Sequence, residues 1–285
     1  MGTKKITKIF SNSIIQILLM AWSLMQVMPV LWLILSSFKP SVEISSHLLS
    51  PPKSFYINNY NFSEYNLATG AEVHILTYLR NSIIITISTL VILMTICFFA
   101  GFALAKIKFP GKNVLLIILI IFLGIPIYTI IIPLYYLISN MGLNNNYFGL
   151  ILPYVAIWCP FTILMLQTYF RQFPDDLIDA AKIDGCNIIQ AFIRVVLPTS
   201  LGAVSMVLVV NFISIWNEFL LSLTILKNTG VKTLTVGLMG FKGQFITDWG
   251  PLFAALTISF IPSIIVYCVF HRSLIKGIHA GALKE

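Results

Sequence analysis

The sequence predicts an all-α integral membrane protein with six transmembrane helices, and three observations carry that expectation. Hydrophobic residues make up 58% of the 285 positions and charged residues 10%, whereas a soluble domain has about 25% charged residues. Residues 9–38 and 113–170 contain no Lys, Arg, Asp or Glu, and each run exceeds the ~20 apolar residues that cross hydrocarbon. The apolar runs are also about twice the ~10 residues of a barrel strand and do not alternate in polarity, so they read as helices. The whole chain, 1–285, is expected to form a single transmembrane domain, with no room for a separate soluble catalytic domain.

Charge gaps place the spans near residues 13–37, 81–105, 113–138, 147–168, 198–223 and 251–271. The first follows the basic segment Met1–Phe10, as a secretory leader would. Its apolar stretch is too long for one, and no small-residue cleavage site ends it, so it is expected to be a retained helix. The third carries Gly124, Pro126 and Pro133, which predict a kink. That kink either loosens a pore-lining helix or only shapes the bundle. Ser139–Asn146, rich in Asn with Gly142, interrupts the long charge-free block and predicts a tight turn between the third and fourth spans. Residues 169–197 form a polar, helix-capable segment before the fifth span, which Pro198 opens.

An even number of spans puts both termini on one side, and the positive-inside rule selects it. Residues 1–12, 106–112, 169–197 and 272–285 hold 12 of the 18 Lys and Arg, and the opposite segments hold 6. Both ends and the 169–197 segment are therefore expected in the cytoplasm. The net charge of +8 follows from this topology, with lysines meeting anionic lipid headgroups and no nucleic-acid partner. Cys97, Cys159 and Cys268 fall in predicted spans and Cys186 in the loop. No pairing for a disulfide and no Cys/His metal spacing is legible, so they read as small packing residues. His47, His74, His271 and His279 form no catalytic constellation, and no phosphate-cradling Gly-x-x-x-x-Gly-Lys-Ser/Thr loop is present. No cofactor is expected.

The segment 169–197 is the most ordered polar stretch. Pro174 suits the first helical position, where its missing N–H costs nothing. Asp175 and Asp176 then fall in the first turn, favourable for the helix dipole. The helix should reach about Asp184, with Gly185 as its C-terminal stop. Asn187 opens a second helix, with Gln190 three residues on as capping-box partner. Leu177, Ala180, Ala181 and Asp184 lie within a turn of one another. The small Ala180, Ala181 and Gly185 permit close approach to another surface, and Asp179 and Asp184 offer carboxylates to a basic partner. An interfacial amphipathic helix would instead want bulky apolar anchors and Lys or Arg on its polar face.

Residues 179–198 resemble the EAA signature of ABC importer permeases: acid-Ala-Ala, then Asp-Gly, a hydrophobic helix and Leu197-Pro198. Asp179 departs from the usual Glu, which keeps the charge and shortens the reach. Asn81-Ser82, Ile132-Pro133-Leu134 with Gly142-Leu143, Trp216-Asn217-Glu218-Phe219, Asp248-Trp249-Gly250 and Gly277-Ile278-His279-Ala280-Gly281-Ala282 extend the resemblance to the six-span permease of maltose-type, carbohydrate-uptake importers. The resemblance covers about residues 14–284. It implies a type I permease bundle in a prokaryotic plasma (inner) membrane and alternating access driven by a separate ATPase. That ATPase would dock on a coupling helix at 175–185 through Leu177, Asp179, Ala180, Ala181, Asp184 and Gly185. It further implies a second permease subunit in a heterodimer, an extracytoplasmic solute-binding protein and a sugar or oligosaccharide substrate. The chain itself would not be an enzyme. In similar permeases a comparable tail enters the ATPase dimer interface. Gly277–Glu285 is read here as short and flexible, and as either such a contact or a disordered terminus.

Other readings stay open. Glu218 is the one acid in or near a predicted span, where an ionisable group is a functional hypothesis. It either lines the translocation path with Asn211, Trp216 and Asn217, or holds helices together, or reaches outer water. Residues 226–248, with Gly230, Gly240 and Gly243, either reach into the binding protein or cover the bundle. Tyr56, Tyr60 and Tyr65 suit a binding-protein platform or an interfacial aromatic belt. The rival classes are an ion-gradient-driven secondary transporter, which wants acids or His in several spans, and an ABC permease for a non-sugar solute.

Overall fold

The computed structural model describes residues 2–62, 65–66, 71–243 and 246–282, with side chains described over 15–62, 72–243 and 246–271. Along the chain lie α1 (Gly2–Ser36), α2 (Ser41–Ser46), β1 (Tyr65–Asn66), β2 (Ala71–Glu72) and α3 (Ile75–Lys106). Then come α4 (Lys112–Leu123), α5 (Ile127–Asn140), α6 (Phe148–Arg171), α7 (Asp175–Ile183) and α8 (Ile188–Ala191). A π-helical turn (Phe192–Val196) leads to α9 (Leu197–Thr199), α10 (Leu201–Trp216), α11 (Leu220–Ile225), α12 (Leu234–Gly237) and α13 (Trp249–Ala282). The protein is nearly all helical, and the described strands form only a two-residue antiparallel pair, Tyr65 opposite Glu72.

Among the described residues, four helices are long and apolar enough to cross a membrane: Ile15–Ser36, Ile75–Lys106, Phe148–Arg171 and Trp249–His271. Two more apolar runs, over the expected third and fifth spans, are bent helix pairs, which gives up to six spans if each pair crosses as one. The run 113–138 is not one helix, because α4 and α5 meet at 100° across Gly124–Pro126. Pro126 lies extended at φ −65°, ψ 128° and disfavours helical backbone at the residue before it, so α4 stops there. The run 198–223 breaks twice. The segment Ile188–Thr199 meets α10 at 79° around Ser200, and α10 ends at Trp216, ahead of Asn217–Phe219 and the short α11.

The structure divides into two compact units. One comprises residues 1–73 and 238–260, the other 74–237 and 261–285. In the first, side chains from Ile15 to Pro29 are exposed, a face suited to lipid or a second membrane protein. Its polar end is tied internally. The buried Lys39 ammonium donates to the carbonyls of His47 (3.2 Å) and Leu48 (3.4 Å). Asn59 Nδ2 donates to the carbonyls of Ser37 and Lys39, both at 2.7 Å. Ser41 Oγ donates to Asp248 Oδ1 at 2.6 Å.

The second unit is built on α3 packed along α6. Leu93, Cys97, Leu166 and Phe170 are buried between elements of this core. Gly101 allows the approach, since a Cβ there would lie 3.0 Å from Leu166 Cβ. Cys97 Sγ lies 3.7 Å from Cys159 Sγ, both thiols being free, a proximity the spacing in sequence did not show. Residues 228–237 are moored to α3. Asn81 Nδ2 donates to the carbonyls of Gly230 and Lys232 (3.0 Å each), and Leu234 N donates to Ser82 Oγ at 2.8 Å. α13 extends beyond the expected end at 271. The backbone of Gly277–Ala282 is helical rather than a flexible tail, and the side chains of that segment and residues 283–285 lie outside the described residues.

Candidate functional site

The polar segment between α6 and α10 has its local structure written in its own residues. Pro174 sits one position before the place expected for it. Its ψ of 127° makes it the N-cap, and Asp175 and Asp176 occupy the first turn. At the other end Gly185 adopts φ +88°. Gly185 N donates to the Lys182 carbonyl and Cys186 N to the Ala181 carbonyl, both at 3.0 Å, which closes a Schellman motif. The capping box opens α8: Gln190 N donates to Asn187 Oδ1 (2.8 Å) and Asn187 N to Gln190 Oε1 (3.0 Å).

The two faces of α7 differ. Ile178 and Ala181 are buried, and α7 packs on α8 and the π-turn. Leu177, Asp179, Ala180, Asp184 and Gly185 are exposed, as is Ile183 at 87%. Ala181, grouped by the sequence with the coupling residues, is buried. It lies three residues from Ile178 and shares that inner stripe, while Leu177, Ala180 and Asp184 form the outer one. Asp179 already has a local partner, Lys182 Nζ at 2.8 Å. Both groups are exposed, so this pair contributes little.

Two contacts from the end of α3 hold this segment, and the sequence did not reveal either. Lys106 Nζ donates to the Phe173 carbonyl and to Asp175 Oδ1, both at 2.6 Å. The Lys106 hydrogen bond, and then its charge, hold the Asp175 carboxyl below the usual carboxylate range. Phe192, 1% exposed, sits in an aromatic cage. It stacks on Phe102 at 4.5 Å and meets Phe99 and Phe170 at 5.6 Å each. A basic last turn in a span and a Phe after a capping box are common patterns, so nothing in them named their partners.

A second feature lies within the same unit. The bends of α4–α5 and α10–α11, together with α6, line a half-open cavity of about 780 Å³. Its polar and aromatic lining includes Tyr128, Trp158, Ser214, Asn217 and Glu218. Of the four residues expected together on a path, the structure brings only Asn217 and Glu218 to this cavity. Asn211 is fully buried and clamps α10 to α6, donating to Thr162 Oγ1 and the Val207 carbonyl at 2.9 Å each. Trp216 is buried and stacked on Phe212. Packing buries these two, whereas Asn217 and Glu218 lie past the helix end. Glu218 is half-buried and heavily engaged. Its Oε1 accepts from Leu221 N (2.8 Å), and its Oε2 accepts from Ser222 N (3.1 Å) and Tyr154 OH (2.5 Å). The carboxylate caps the start of α11, where an anion suits the helix dipole. Tyr128, Trp158 and Ser214 were missed; they face the cavity because of the two bends. Among the described residues no group of His, Cys, Asp and Glu could hold a metal ion.

The comparisons agree with this architecture. The family described as binding-protein-dependent transport system inner membrane component matches residues 97–279. The chain is 34% identical to a diacetylchitobiose uptake system permease protein of Streptomyces coelicolor, over 94% of this chain and 87% of that one. It is 27% identical to an arabinooligosaccharides transport system permease protein of Bacillus subtilis, over 93% of each. In fold it is similar to the crystal structure of a bacterial ABC transporter involved in import of the acidic polysaccharide alginate. That match has TM-score 0.76 and 20% identity and covers 96% of this chain and 98% of the other. A match across most of α3 to α13, with a relative as close as 34% along nearly the whole length, means that the chain belongs to the family of binding-protein-dependent transport system inner membrane components.

Proposed function

We propose that this chain is the membrane-spanning permease subunit of an ATP-driven importer of a sugar or oligosaccharide, with α7 as the helix through which a separate ATPase drives it. The observation that carries the coupling assignment is the two-faced α7. It is closed at its C-terminal end by Gly185, carries Asp175 and Asp176 in its first turn, packs inward through Ile178 and Ala181, and is open outward along Leu177, Ala180 and Asp184. The sugar assignment is supported by the substrates in the relatives' names. In this reading the chain is a transport component and not an enzyme. It pairs with a second permease subunit and receives solute from an extracytoplasmic binding protein. Both termini and α7 lie in the cytoplasm. ATP closes the ATPase pair, α7 moves as a rigid body because its backbone hydrogen bonds are internal, and the packed helices rock between two states.

The cavity is the chain's candidate share of the translocation path. Trp158 and Tyr128 offer flat apolar faces for sugar rings, and Asn217 and Ser214 offer polar groups. Glu218 shapes that wall through its bonds to α11 and Tyr154 rather than as a free acceptor. The test is purification of the tagged chain from its native membrane in mild detergent, with mass spectrometry of what accompanies it. A second multi-span protein and an ATPase are expected. Recovery of the chain alone under every gentle condition would overturn the reading in favour of an ion-driven carrier.

A further inference from the structure

The loop that carries α7 is attached to α3 at two points one helical turn apart. Phe102, with Phe99, holds Phe192 beyond α8. Four residues further on, Lys106 holds the junction between α6 and α7. Four residues rise about 6 Å along a helix. A single contact at Phe192 would leave the loop free to swivel about that ring. A second contact at the opposite end of α7 removes that freedom.

The chemistry of the second contact is specific. The Lys106 side chain is 9% exposed, while Asp175 is 75% exposed. The Lys106 stem is thus largely covered, and both acceptors of its ammonium belong to the loop. One is the Phe173 carbonyl just past the end of α6, where carbonyls lack helical partners. The other is the first acid of α7. Through one ammonium, the end of α3 binds the Phe173 carbonyl beyond α6 and pairs with Asp175 at the start of α7. Close packing of α3 on α6 at Gly101 leaves little slack behind it.

We propose that Lys106 is a positioning residue for energy coupling: it fixes the angle of α7 against α3, so that movement of α7 becomes movement of the α3–α6 core. This rests on the reading of α7 as the ATPase dock. The stem of Lys106 packs in the protein, so Lys106→Met keeps that packing and removes the donor. Lys106→Arg keeps a charged donor.

The test is hydrogen–deuterium exchange of the purified transporter complex in lipid nanodiscs, with and without ATP plus vanadate, which needs no transport substrate. In the wild type the nucleotide is expected to change exchange over both α7 and the last turns of α3, residues 99–106. In Lys106→Met the change over α7 persists and the change over 99–106 falls at least fivefold, while Lys106→Arg restores it to within about twofold of wild type. A nucleotide response over 99–106 that survives intact in Lys106→Met overturns the proposal. Absence of any response over α7 in the wild type, or of an ATPase in the purified complex, overturns the docking assignment instead. Should Lys106→Met not accumulate, Asp175→Ala decides, because it removes one of the two acceptors. A reduced response over 99–106 supports the proposal and a wild-type response overturns it.

Discussion

At the scale of single residues, Gly185 shows how conformation and contact separate. Its φ of +88° is left-handed, yet a Cβ there would meet nothing within 4 Å. The penalty for a side chain is therefore conformational, about 1–2 kcal/mol for most residues, and small for Asn, which adopts this region more readily. Gly185→Asn is expected to keep the elbow and to retain the co-purifying ATPase. Gly185→Arg adds bulk to the outward face and is expected to lose it. Quantifying ATPase recovered per tagged chain checks both, and a wild-type yield with Arg would remove Gly185 from the dock. The glycine stop was legible because a Gly after a helical run has a backbone reason to be there. The inward turn of Ala181 was not, since Ala180 and Ala181 are chemically identical and only the packing partner distinguishes them.

At the scale of elements, local signals worked wherever a bond closes within a few residues. The capping box of Asn187 and Gln190 and the turn at Gly142 are of this kind. The π-turn at Phe192–Val196 is not. It lies just before Pro198, whose ring would crowd the Arg194 carbonyl in a regular helix and which has no N–H to donate to it. Leu197 N bonds the Phe192 carbonyl across the widened turn. Phe192 then fills the cage of Phe99, Phe102 and Phe170. Phe192→Ala should cost about 3–5 kcal/mol and lower the thermal unfolding midpoint in detergent, with Phe192→Leu closer to wild type. Equal midpoints for Ala and wild type would show that the cage does not hold the loop. Of the residues expected to kink the third span, Gly124 and Pro126 lie at the 100° bend while Pro133 sits inside α5, because composition marks where a helix weakens and not the angle at which its halves settle.

At the scale of the whole molecule, the excess of Lys and Arg on one set of segments predicts orientation. A cysteine at Leu177 should react with a membrane-impermeant maleimide only after permeabilisation, and one at Lys227 in intact cells. The opposite pattern would invert the topology. Hydropathy, charge bias and capping motifs are properties of contiguous residues, since bilayer thickness and helix ends act on short stretches of chain. Membrane class, the number of apolar runs, the limits of α7 and the family resemblance could therefore be read directly from residue order. The remaining features join positions far apart: Lys106 with Asp175 across 69 residues, Tyr154 with Glu218 across 64, Cys97 with Cys159 across 62. Such pairs exist only after helices have packed, because periodicity tells which face of a helix is buried and not which helix buries it. Packing is also what turned Asn211 and Trp216 away from the cavity and committed Glu218 to the start of α11.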